Sequence, residues 1–123
     1  MNKEDLKSRT KLFAHRCVKL ALALPRNILG RHITGQLIRC STSVAANYRA
    51  ACTAQSRASF ISKLAIAIEE VDETAFWIEF LTDENLVKNN RVSGLQNEAR
   101  ELMAIFVSSQ QTARKNLKKC SGL

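Results

Sequence analysis

Residues 33–81 read ITGQLIRCSTSVAANYRAACTAQSRASFISKLAIAIEEVDETAFWIEFL, a stretch with a regular side-chain pattern. Alternating steps of four and three residues give it two stripes: Ile33, Leu37, Cys40, Val44, Asn47 and Ala51, then Phe60, Leu64, Ala67, Val71, Thr74, Ile78 and Leu81. Such spacing keeps side chains on one face of a helix. The short link 52–55 predicts that the two helices fold back antiparallel. Because a helical hairpin buries only one stripe of each helix, further helices must complete the core.

Two more segments with the same period flank this hairpin. The apolar stripes of these segments are Leu6, Phe13, Cys17, Leu20, Ala21 and Leu24 before it, and Leu95, Ala99, Leu102, Phe106, Ser109, Ala113 and Leu117 after it. Pro25 ends the first helix, since proline disfavours helical geometry in the preceding residue. No segment alternates with a period of two, so we predict no strands.

Local signals give approximate helix ends. Ser56 can cap the third helix, and Ser93 with Gln96 has the form of a capping box at the start of the fourth. We expect Ile28 and Leu29 to pack under the end of the bundle, and 83–92 to be the longest loop. The prediction is one all-α domain, 1–123, folded as an antiparallel up-down-up-down four-helix bundle, with helices at about 4–24, 30–51, 56–82 and 93–117.

Composition is that of a globular protein rather than a membrane or metal protein. The 123 residues are 46% hydrophobic, but no apolar run reaches the roughly 18 residues that span a bilayer. The amino terminus lacks a signal-peptide core, so we expect a cytoplasmic protein. Cys17 and Cys40 lie on apolar stripes, Cys52 lies beside the hairpin link and Cys120 lies in the tail. Neither histidine has zinc-finger spacing with them, and we expect no metal and no cofactor.

The net charge of +8 is unevenly distributed. In the predicted topology, one end of the bundle joins the starts of helices 1 and 3 to the ends of helices 2 and 4; we call it the near pole. We expect it to be strongly positive, with Lys3, Lys7, Arg9 and Lys11 contributing. The residues that we predict to contact nucleic-acid phosphates are Arg49, Arg57, Lys63, Arg114, Lys115, Lys118 and Lys119.

Other interpretations of these charges remain open. The basic pole could also be a surface that only faces solvent, or a surface that binds an acidic protein. Because aromatic side chains are nearly absent there, binding to RNA or DNA would be weakly sequence-selective. The acidic cluster predicts interhelical pairs instead, with Glu69 and Glu70 level with Arg39 and with Glu73 near Gln36 and Arg31.

Two catalytic patterns were considered. Di-iron bundles need Glu-x-x-His on two helices, and neither His15 nor His32 follows a glutamate at that spacing. Residues 26–32 have the Arg-Asn-x4-His form used by the HEPN ribonucleases, which predicts, as an alternative, a metal-independent ribonuclease using Arg26 and His32. The favoured prediction is a protein without catalytic activity.

Several residues point to self-association. Asn47 occupies a stripe position, where a buried polar residue can set register or oligomeric state; a partly exposed end of the stripe would also explain it. The third helix carries more apolar side chains than one stripe can bury: Ile61, Ile68, Phe76, Trp77 and Phe80.

A family resemblance rests on residues of the second and third helices: Gln36-Leu37, residues 43–50 (SVAANYRA), Ser56, Phe60, Ala67 and Glu73. In these positions the chain resembles the four-helix-bundle family that includes proteins encoded in intervening sequences of bacterial 23S ribosomal RNA genes. Tyr48-Arg49-Ala50 and Glu70 depart from the family's usual residues. The resemblance implies a four-helix bundle without established catalysis. Through a related accessory factor of diversity-generating retroelements, it also implies a pentameric ring whose basic surface contacts nucleic acid and a reverse transcriptase.

Overall fold

The computed structural model describes residues 1–120, with Cys120 described by its backbone alone. These residues form four α-helices and no strand. The helices are α1 (Lys3–Leu22), α2 (Ile28–Cys52), α3 (Arg57–Asp83) and α4 (Asn89–Cys120). Each packs against its neighbours in sequence, and α4 also packs against α1, whereas the backbones of the diagonal pairs stay apart. The predicted antiparallel four-helix bundle is therefore confirmed.

The turn between α1 and α2 lies two residues earlier in the chain than predicted. Ahead of Pro25 the amide of Leu24 bonds to the carbonyl of Ala21 at 3.2 Å, a three-residue step that ends the helix two residues early. Asn27 then caps α2, because its side-chain oxygen accepts the Gly30 amide at 2.8 Å. A β-carbon on Gly30 would lie 1.8 Å from the Pro25 carbonyl oxygen, so only glycine fits there. Leu29 packs against the core, but Ile28 is 90% exposed, and its predicted burial was wrong.

The start of α4 differs from the prediction. Asn85 adopts a left-handed conformation, with φ of 58°, and the next amide, of Leu86, bonds back to the carbonyl of Leu81 at 2.9 Å. This is a Schellman ending with asparagine in the place of the usual glycine. It shortens the loop to 84–88, and α4 begins at Asn89. The capping box proposed at Ser93 was wrong, since Ser93 lies inside the helix.

The core follows the predicted stripes with one shift of register. Phe13, Phe106 and most aliphatic stripe residues are buried, whereas Leu20 is half-buried and Leu117 is exposed. In α2, Tyr48 rather than Asn47 enters the core, and its ring stacks on Phe106 with centroids 5.6 Å apart. Asn47 is half-buried and donates to the carbonyl and hydroxyl oxygens of Ser43 in its own helix, each at 2.9 Å. None of the described helices has the length and apolar character needed to cross a bilayer.

Candidate nucleic-acid interface

The near pole brings together the four helix ends that the topology predicts. The ammonium of Lys3 in α1 lies 5.8 Å from the ring centroid of Phe60 in α3. A groove of about 840 Å³ is lined by Lys3, by the end of α2, by the start of α3 and by the last turns of α4. All four helices thus contribute to one surface.

Charge is concentrated at this pole. Its residues, 1–8, 45–66 and 106–120, hold nine lysines and arginines against Glu4 and Asp5, and therefore carry seven of the eight net positive charges. Both acids are engaged locally. Glu4 pairs with Lys7 at 3.0 Å, and Asp5 completes the capping box of α1 with Asn2.

Arg9 does not belong to this positive surface. Its guanidinium donates two hydrogen bonds to Glu98, at 2.6 and 2.7 Å, and a third to Glu101 at 3.2 Å. These hydrogen bonds, with the Glu98 charge, raise the pKa of Arg9 above its ordinary value. The expectation that Arg9 joins the basic pole was therefore wrong, because α1 and α4 meet there through an ion pair.

The end of α4 projects beyond the rest of the bundle. The side-chain amide of Gln110 donates to the carbonyl of Ile61 at 3.3 Å, so this level of α4 lies one turn inside the start of α3. Residues beyond Arg114 therefore pass the end of α3, over a length of about 9 Å. Exposure follows this geometry, since Ala113 is buried but Leu117, on the same stripe, is 38% exposed. We call residues 114–119 the overhang.

The predicted phosphate-binding residues surround this overhang. Arg114, Lys115, Lys118 and Lys119 are exposed, and the 3.6-residue period places them on the side of α4 away from its core stripe. Arg49 and Arg57, at adjoining helix ends, are also exposed, whereas Lys63 is half-buried.

Sequence reasoning missed a polar stripe beside these cations. Ser108, Thr112 and Asn116 are spaced by four residues in α4 and line the groove beside Arg57. The Ser108 hydroxyl and the Asn116 amide can donate hydrogen bonds to phosphate oxygens, whereas the Thr112 hydroxyl donates to the Ser108 carbonyl at 3.1 Å. Their period of four was a visible signal, but the prediction considered only charged residues.

The residues predicted for self-association separate into two groups. Trp77 contacts Phe76 and Phe80 edge to face, with centroids 5.0 and 6.0 Å apart, and also His32 at 5.5 Å. We call these four side chains the aromatic patch; Phe76 is 51% exposed. Ile61 and Ile68 lie apart from it, with Ile61 beside α4 and Ile68 packed against the core. Asn47 belongs to neither group.

The structure does not join Arg26 to His32 within one chain. Arg26 lines a small groove with Arg31 and Thr34 beside the end of α1. His32 turns instead toward Trp77 of α3. The ribonuclease hypothesis stays a prediction that requires groups from a second chain.

The acidic cluster forms interhelical pairs, of which the pair between Arg39 and Glu70 is the one predicted. Arg39 of α2 bonds to Glu70 at 3.2 Å and to Glu73 of α3. Glu73 also accepts the indole N–H of Trp77 at 3.1 Å. Arg31 takes no part, contrary to expectation. These carboxylates hold two helices together, which is a structural role.

Thiol chemistry does not define a site in the described residues. Burial raises the pKa of Cys17 to about 12, and it also raises the pKa of Cys40 above its usual value. A neutral buried thiol is a poor nucleophile. Among residues 1–120, no three His, Cys, Asp or Glu side chains come together as a metal site.

Comparisons with known proteins agree with this architecture. A family model described as 23S rRNA-intervening sequence protein matches residues 3–108. A crystal structure from Bacteroides thetaiotaomicron VPI-5482, described as a protein with unknown function from the S23 ribosomal protein family, is 31% identical, with a TM-score of 0.81. That similarity covers 90% of this chain and 99% of the other. A search of curated proteins gave no match. The family match spans most of the bundle and stops before the overhang.

Proposed function

This chain belongs to the family of 23S rRNA-intervening sequence proteins, and we propose that it is a non-catalytic nucleic-acid-binding protein that holds the phosphate backbone at its near pole. The observation that carries this proposal is the concentration of seven of the eight net positive charges at one end of the bundle. A field of one sign attracts a polyanion over about a Debye length, roughly 8–10 Å in physiological salt.

The overhang supports backbone binding in particular. Lys115, Lys118 and Lys119 lie past the start of α3, where a duplex or single strand can approach them without meeting that helix. The Ser108 hydroxyl lines the same groove as Arg57 and offers a neutral donor to phosphate, whereas the Thr112 hydroxyl donates to the Ser108 carbonyl at 3.1 Å. The near pole offers few aromatic rings for base stacking, so we expect little discrimination between sequences.

Binding should depend steeply on salt. Each phosphate neutralised contributes a slope of about −0.9 in log K against log[salt] for duplex DNA, or about −0.7 for a single strand. With roughly four contacts on a chain, affinity should fall on the order of 100-fold between 50 and 200 mM salt. Fluorescence anisotropy with RNA and DNA of unrelated sequences measures both the slope and the selectivity.

A matched pair of variants tests the location. Reversing Arg114, Lys115, Lys118 and Lys119 to Glu should abolish binding at low salt. The control reverses four exposed cations at the opposite end, Arg16, Lys19, Lys88 and Arg91, with the same change in net charge; it should keep affinity within about threefold of wild type, since those residues lie more than a Debye length away. Circular dichroism and chromatography verify folding. Equal affinity of wild type and the overhang variant for RNA and DNA at low salt would contradict the proposal.

The same incubations test the absence of catalysis. Labelled RNA should remain intact with wild-type protein in the presence of a chelator. Cleavage that His32→Ala abolishes would contradict the non-catalytic part of the proposal and favour the ribonuclease hypothesis.

Self-association is a second part of the proposal. Phe76 exposes half of its surface at the centre of the aromatic patch, and exposed aromatic clusters commonly mark protein interfaces. A second copy of the chain is the partner that we propose, and the family resemblance implies five copies in a ring. A ring would repeat the overhang around its axis and multiply phosphate contacts. Contact with a reverse transcriptase stays a prediction from the resemblance.

A further inference from the structure

A second groove lies at the opposite end of the bundle from the overhang. It opens between the end of α1, the loop 84–88 and the start of α4, and has a volume of about 1030 Å³. We call it the far-pole groove. Its floor is apolar and is built by Leu20, Leu24, Leu86, Val87, Val92 and Leu95. A groove of this size with an apolar floor matches the usual form of a small-molecule site.

The rim of the far-pole groove is cationic. Arg16 and Lys19 border it on α1, and Lys88 and Arg91 border it on the other side. All four are exposed, and within residues 1–120 none has a side-chain hydrogen bond or ion pair. No acidic side chain lines the groove. Four like charges around a low-dielectric floor focus a positive potential into it.

The dimensions of the groove limit what can enter. At one end Arg16 reaches toward α4, where its Nη2 lies 3.6 Å from the position that a β-carbon on Gly94 would take. At the other end Leu86 and Val87 of the loop close it. Between Arg16 and Leu24 the floor extends eight residues along α1, about 12 Å. A peptide helix stable enough to dock needs more length than this, whereas one small molecule fits.

We infer that the far-pole groove binds a small amphipathic anion, an aliphatic chain that ends in a carboxylate or a phosphate. Charge complementarity places the anionic head between the two pairs of cations, and the chain lies on the leucine and valine floor. This inference is independent of nucleic-acid binding at the near pole, because the two sites share no residue.

Binding of decanoate and decyl phosphate, below the concentrations at which they aggregate, tests the inference on the full chain. Isothermal titration should give one saturable site for each chain. Shortening the alkyl group should weaken binding by about fourfold for each buried methylene removed. Amide NMR shifts should cluster in 16–24 and 86–95. Decyltrimethylammonium, which has the same chain and the opposite charge, should not bind.

Paired variants distinguish binding in the far-pole groove from non-specific attraction of anions to a basic protein. Arg16→Gln with Arg91→Gln should weaken decyl phosphate at least tenfold. Arg31→Gln with Arg100→Gln removes the same charge from exposed positions outside the groove and should change affinity less than twofold. Val87→Asn should reduce the dependence on chain length while keeping the preference for anions.

Three results would overturn the inference. The first is equal binding of the cationic detergent, and the second is binding of inorganic phosphate as tightly as decyl phosphate. The third is an oligonucleotide that shifts the same amides and displaces the ligand, which would make the groove part of a nucleic-acid surface. The overhang variant should bind decyl phosphate normally, so failure of this inference and failure of the proposed nucleic-acid site remain distinguishable.

Discussion

Cys17 is completely buried on the core face of α1, and its burial makes the stability of the bundle sensitive to alkaline pH. Its pKa rises from 9.0 to about 12 in the folded chain. Because the folded form keeps a proton that the unfolded form releases, the stabilisation is fully present below about pH 9 and is lost as pH rises toward 12. We expect the free energy of unfolding to fall by about 1–2 kcal/mol between pH 8 and pH 10. Urea unfolding measures it.

Cys17→Ala is the matching control for this pH dependence. The variant should be less stable at both pH values, because it leaves a small cavity, but it should lose less stability between them. Cys40, whose pKa burial also raises, retains a smaller dependence in that variant. An equal loss in wild type and variant would show that another group is responsible.

At the same scale, residue identities were predicted well where a stripe position held an apolar side chain. Phe13, Leu37 and Phe106 are buried as their spacing indicates. Tyr48 was missed because strict alternation of four- and three-residue steps places Asn47 after Val44, although the Tyr48 ring packs in the core. The Arg9 pairing with Glu98 was also missed, because it depends on how far α1 and α4 are shifted along each other, which periodicity does not define.

Helix starts give a prediction at the scale of the element. The Ser56 hydroxyl oxygen accepts the Ser59 amide at 3.0 Å and caps α3 as predicted, so Ser56→Ala should lower the free energy of unfolding by about 0.5–2 kcal/mol. Ser93→Ala is the matched control. Ser93 is exposed inside α4, where alanine has the higher helix propensity, and stability should stay the same or rise by up to about 0.5 kcal/mol. A loss for Ser93→Ala as large as that for Ser56→Ala would mean that α4 begins at Ser93.

The two serines show what local signals can determine. Serine is favourable at a helix N-cap in both places, but only Ser56 follows a segment in which the chain must turn. Before Ser93, the left-handed Asn85 ends α3 two residues after Asp83. Because the chain has turned there, residues 89–92 can already be helical. Asparagine takes this conformation less often than glycine, so the sequence carried a weaker signal for the short loop. The projection of α4 past the start of α3 was likewise not predicted. The stripe of α4 continues to Leu117, and a single sequence does not show where the neighbouring helices end beside it.

At the scale of the whole molecule, the aromatic patch predicts the state of association. We expect wild-type protein to form an oligomer at tens of micromolar, measured by light scattering, and Phe76→Ser to shift it toward monomer, because this substitution removes exposed apolar surface from the proposed interface. Leu12→Ser is the control. Leu12 is 59% exposed on α1, outside the patch, and its variant should retain the wild-type mass. A monomeric wild-type protein, or an unchanged Phe76→Ser oligomer, would contradict the proposed interface.

The charge pattern of the overhang links its helicity to binding of the proposed ligand. Arg114 with Lys118, and Lys115 with Lys119, are like charges one turn apart, and each such pair opposes helix formation by about 0.2–0.5 kcal/mol. The carboxyl-terminal end of the helix dipole offsets this cost in part. If the proposed anion binds there, it neutralises these pairs, removes the repulsion and stabilises the helical form of 114–119. By thermodynamic reciprocity, any condition that stabilises the helix also raises its affinity for the anion. Under the proposed function, polyanion binding and the helicity of the last turns of α4 are therefore coupled.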